Sequence, residues 1–168
     1  MKKLLLGVLL FTLTISTFAF DGYLRVGTVS PAKSYNSEEK SFEHYAPTIG
    51  GEITQSFIFA DLGAGIAYNG KTSGTNISTV PVYLVARWTP LPILVKPYLT
   101  VKYGTVLETY DNVSHSKPEG KQYYGVGLGV NFASLQAEIL YSKTEIDHDK
   151  RGDDDLEQVS LVVGYQLF

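Results

Sequence analysis

Between Gln122 and Thr144 the sequence alternates so strictly that few folds can hold it. Tyr124, Val126, Leu128, Val130 and Phe132 put a large apolar side chain at every second position, and Gly125, Gly127, Gly129 and Asn131 stand between them. A period of two is a strand with two opposed faces. Ala133-Ser134 can turn the chain, after which Leu135, Ala137, Ile139 and Tyr141 share one face. Gln136, Glu138 and Ser142 lie opposite, with Leu140 as the exception. A soluble sandwich shows the same alternation, so the period alone does not say which face is buried. The glycines are the further clue. A Gly-Gly-Gly-Asn face fills no hydrophobic core, but it suits a narrow interior already crowded by other side chains. The large apolar residues then point outward, which is stable only against lipid.

The 168 residues fit one domain, and the net charge of −3 points away from nucleic acid as a partner. The absence of cysteine excludes disulfides and thiolate metal sites. Tyr at 12 and Gly at 16 are both high for an ordinary globular domain. Residues 1–19 read as a secretory signal peptide: Lys2 and Lys3 open it, an apolar run from Leu4 to Phe18 follows, and small residues Thr17 and Ala19 frame a cleavage site. An uncleaved anchor helix is the alternative. Residues 20–168 then form the exported domain, expected in the bacterial outer membrane. No other stretch approaches the roughly 20 apolar residues of a membrane helix, so any span must be made of strands.

Alternation recurs along the chain. Strands are expected at Gly22–Val29, Tyr45–Gln55, Asp61–Asn69, Val80–Trp88, Leu94–Tyr110, around the two halves of the opening hairpin, and at Leu156–Phe168. Their connections alternate long and short. An even number of strands with alternating loop lengths predicts an all-β fold, an eight-stranded antiparallel transmembrane barrel of up-and-down order. The aromatic residues sort accordingly. Tyr45, Tyr68, Tyr124 and Tyr141 fall towards the long-loop rim on outward phases, and Phe57, Trp88, Phe132 and Tyr165 towards the short-turn rim, as two interfacial girdles require.

The same phases send Arg25, Arg87, Lys96 and Lys102 inward, together with Glu52, Glu108 and Glu138. An eight-stranded barrel is just wide enough for side chains to fill, and buried charges must be paired. The expectation is a salt-bridged plug. Position along the strands puts Glu52, Arg25, Arg87 and Lys96 in the half near the short turns, with Lys102 and Glu108 higher.

The phrases GYLRVG, KPYLTVKYG, YYGVGLGVNF, AEILYSK and GYQLF, behind a signal peptide, resemble the small bacterial outer-membrane barrels of the OmpA, OmpX and OmpW kind. The resemblance covers essentially all of residues 20–168. It implies contact with outer-membrane lipid and lipopolysaccharide. It also implies delivery by periplasmic chaperones and insertion by the barrel-assembly machinery, which reads a last strand ending in Phe; Phe168 matches that signal. The phase differs from the family's usual one. Gln166 and Gly164 stand two and four residues before Phe168, while Leu167, Tyr165 and Val163 carry the apolar side chains.

No catalytic constellation stands out. His115 beside Ser114 and Ser116 invites comparison with lipid-A-modifying barrel enzymes, but the trio sits in a polar loop and not on a rigid strand. Asp147, His148, Asp149 and Asp153–Asp155 read as a solvated charged loop, with Lys150 and Arg151 opposing any cation. Arg151-Gly152-Asp153 in that loop is the minimal motif bound by host integrins, a candidate contact for a host-surface ligand. The sequence therefore favours a non-enzymatic barrel without cofactor, with a structural or surface-interaction role. A narrow porin-like channel is the alternative, since the glycine-lined strands at Asp61–Asn69 and Gln122–Phe132 leave some space. A lipid-modifying enzyme comes third.

Overall fold

The computed structural model describes residues 20–32, 45–57, 59–71, 77–90, 94–111, 119–147 and 154–168. They form eight strands: β1 Phe20–Pro31, β2 Ala46–Ser56, β3 Ala60–Asn69, β4 Ile77–Trp88, β5 Val95–Asp111, β6 Glu119–Phe132, β7 Leu135–Asp147 and β8 Asp154–Gln166. Each pairs antiparallel with the next in sequence, and β8 returns to β1 to close the barrel. Residues 1–19, where the signal peptide is expected, and residues 148–153, which hold Arg151, Gly152 and Asp153, lie outside the described residues. So do His115 and its serines.

Following directly opposed residues once around the wall fixes the geometry. From Phe20 the path runs through Gln55, Leu62, Ala86, Val101, Val126, Tyr141 and Val159, and it re-enters β1 at Ser30, ten residues further along. Eight strands with that stagger tilt by about 40° and enclose a backbone cylinder about 16 Å across. An even stagger also keeps every residue on its own face around the closure.

Several strands outrun the apolar alternation. β4 begins at Ile77 rather than Val80, β6 at Glu119 rather than Gln122, and β7 reaches Asp147. Ladder hydrogen bonds need only backbone groups, so pairing continues where side chains turn polar. Irregular steps fall between Thr79 and Pro81 and between Gly120 and Tyr123. The first admits a proline, which has no amide proton to give to the ladder. Ala133 turns the β6–β7 hairpin at φ 50°, a left-handed conformation typical of two-residue loops.

The two faces are inverted relative to a water-soluble core. Among the described residues, 18 polar or charged side chains are buried against 10 hydrophobic ones, while Leu84, Leu128 and Ile139 stand more than half exposed on the outside. A closed barrel has no open edge to fray. Folded protein in detergent is therefore expected to migrate differently on gels before and after boiling. Identical migration, or a helical circular dichroism spectrum, would contradict the fold.

Candidate functional site

The interior gathers its charges at one level. Arg25 comes from β1, Glu52 from β2, Arg87 from β4, Lys102 from β5 and Glu138 from β7, and each sits on the inward phase of its strand. Glu52 takes close ion pairs from Arg25 and Arg87, a third from Lys102 Nζ at 2.8 Å, and a hydrogen bond donated by the Tyr83 hydroxyl at 2.9 Å. Glu138 pairs with Arg25 Nη2 at 2.6 Å and with Lys102 Nζ at 2.9 Å, and it accepts the Tyr98 hydroxyl at 3.0 Å. Arg25 and Lys102 thus bridge the two carboxylates into one network. All five side chains are buried.

Three cations face two anions, and aromatic faces take part of the difference. The Arg87 guanidinium lies 5.5 Å from the ring centres of both Tyr23 and Tyr98, and Lys102 Nζ lies 4.8 Å from that of Tyr83. A cation over a desolvated ring is held by the ring quadrupole. These three tyrosines were not singled out by the sequence, although each shares the inward phase of the charges around it.

The glycines seat the tyrosines. A Cβ on Gly129 would overlap the Tyr98 ring, and one on Gly65 would lie 2.7 Å from Glu52 Cγ and 2.8 Å from Tyr83 Cε2. On Gly125 it would meet Leu140 Cδ1 at 3.2 Å. The space that glycine faces suggest in sequence is filled by side chains from the neighbouring strands, since Tyr98 is paired opposite Gly129 and both Glu52 and Tyr83 opposite Gly65. Among the described residues, one cavity of about 430 Å³ lies at the short-turn end, between Tyr23, Asp21, Asp61 and Lys96, and one of about 30 Å³ on the loop side, between Arg25, Lys102 and Tyr83. No residue lines both.

Of the two other expected members of the plug, Lys96 stands elsewhere and Glu108, on β5, lies outside the described side chains. Lys96 has the inward phase, but it is exposed at the short-turn mouth and lies beside the larger cavity. Lys102, expected higher than Glu52, meets it directly. In a wall tilted by about 40°, position along a strand is not height in the lumen, and a lysine reaches across several ångströms.

On the outside, Tyr45, Tyr68, Tyr124 and Tyr141 project near the loop end, and Phe57, Trp88, Phe132 and Tyr165 near the turn end, all exposed. Tyr103 joins the first group, its ring 5.4 Å from that of Tyr124, and Phe20 and Phe59 join the second. Sequence phase could have found Tyr103. Phe168 follows the last residue of β8 and is itself exposed.

No protein-family model and no curated protein matches this chain. Among solved structures, the crystal structure of neisserial surface protein A (NspA) is similar, with a TM-score of 0.57 at 15% sequence identity, over 88% of this chain and 97% of that one. At that identity the likeness concerns architecture, and the architecture they share is the closed eight-stranded antiparallel barrel.

Proposed function

We propose that this protein is an integral bacterial outer-membrane barrel with a plugged interior, and that it serves a structural or surface-interaction role without catalysis. The inverted burial carries the reading. An apolar outer wall with aromatic residues at both ends, around an interior of buried ion pairs, is stable in a bilayer and costly in water. The similarity to a neisserial surface protein supports the same placement. Residues 1–19 act as the export signal, the short turns face the periplasm, and the long connections face outward towards lipopolysaccharide. A host-surface ligand would meet those connections, including Arg151-Gly152-Asp153. Phe168 serves as the signal read by the assembly machinery. Each of the gathered charges is engaged in at least one ion pair, which supports a structural rather than a catalytic use.

The refolded protein is expected to float with lipid vesicles and to insert into planar bilayers without stepwise conductance. Failure to associate with vesicles would refute the membrane placement. Steady single-channel openings from vesicle-bound protein would favour the narrow channel, and the cavities on either side of the charge cluster are where such a path would run.

A further inference from the structure

The pairing of β1 with β8 is the one ladder that joins the two ends of the chain; every other ladder joins strands adjacent in sequence. Closing so long a loop is entropically the most demanding pairing in the barrel. The structure gives this seam something extra at the short-turn end. Beyond the last residue of β8, the Leu167 N–H donates to Gly22 O at 2.7 Å, and the Gly22 N–H donates to Phe168 O at 3.1 Å. The Phe168 ring folds back over Gly22, where an added Cβ would stand 2.6 Å from Cε1 and 3.0 Å from Cε2. Gly22 has the outward phase of Phe20 and Leu24, yet it is buried. Beside it, the Asp21 carboxylate accepts from Gln166 Nε2 of β8 at 2.8 Å and from Ser56 Oγ of β2 at 2.8 Å.

We propose that Gly22 and Phe168 form a clasp that locks the closing seam, with Asp21 tying it to the strands on both sides. The ring covers two hydrogen bonds that lie past the regular ladder and shields their backbone groups. Only glycine on the outward face leaves a seat for it. This also explains the unusual phase of Phe168. It has left the strand, so alternation no longer dictates its direction, and its ring turns onto the outward face of Gly22 instead of continuing the inward phase of Gly164 and Gln166. The clasp concerns how the barrel closes, and it stands whether or not the lumen conducts.

Amide hydrogen exchange by NMR in detergent micelles tests it on the refolded full chain, with Gly22→Val, Phe168→Ala and the double variant. Each single variant is expected to speed exchange at the Leu167 amide by about tenfold. The double variant should be no faster than either single, because both remove the same contact. The Leu128 amide on β6 should keep its wild-type rate. If Gly22→Val does not refold, Gly22→Ala serves, since one methyl already occupies the seat. An unchanged Leu167 rate overturns the clasp. So do multiplying effects in the double variant, or an acceleration no greater at Leu167 than at Leu128.

Discussion

Glu52→Ala is expected to lower the stability of the barrel by about 3–5 kcal/mol, the scale on which removing one partner leaves buried charge uncompensated. Glu52 alone receives Arg25, Arg87, Lys102 and the Tyr83 hydroxyl. Without it, Arg25 and Lys102 share Glu138, and Arg87 has no carboxylate within ion-pairing distance among the described residues. Denaturant unfolding of the refolded variant measures the loss. Relief by water entering the lumen would show as a small conductance that the wild type lacks. Glu138→Ala should cost less, because Arg25 and Lys102 keep Glu52 and only Tyr98 loses its acceptor. Wild-type stability together with wild-type conductance in Glu52→Ala would refute the plug.

Leu128→Arg is expected to cost about 2–4 kcal/mol if the residue sits near the bilayer midplane. Leu128 lies on the outward phase of β6, 63% exposed, four residues from Tyr124 on one side and four from Phe132 on the other. An arginine there must hold its guanidinium in hydrocarbon or stretch towards an interface. Refolding into lipid vesicles of matched thickness gives the measurement. Leu167→Arg provides the contrast, because its position beyond β8 at the short-turn end lets the charge reach water. Equal losses at the two positions would place the membrane band elsewhere.

The alternation of Gly125, Gly127 and Gly129 against Val126, Leu128 and Val130 was enough, in sequence, to call for strands with a large apolar face on the outside. The alternating lengths of the polar connections called for eight strands in a closed barrel. Both properties are local. A period of two shows within ten residues, and a polar loop is visible in its own composition. The inward phases of Arg25, Glu52, Arg87, Lys102 and Glu138 were legible for the same reason.

Position along the strands was enough to group Glu52 with Arg25 and Arg87, but that Lys102 joins them and Lys96 does not was not legible, because it depends on the stagger of ten and the tilt it imposes. Those quantities belong to the closed ring and to no single strand. They bring Lys102 down to Glu52 and leave Lys96 at the mouth. The registers of β5 with β6 and of β3 with β4 set Tyr98 over Gly129 and Tyr83 over Gly65, so that glycine faces that look like empty lumen become seats for the rings that hold the carboxylates. The seat of Phe168 on Gly22 was equally out of reach, since it joins residues 146 positions apart that only closure brings together.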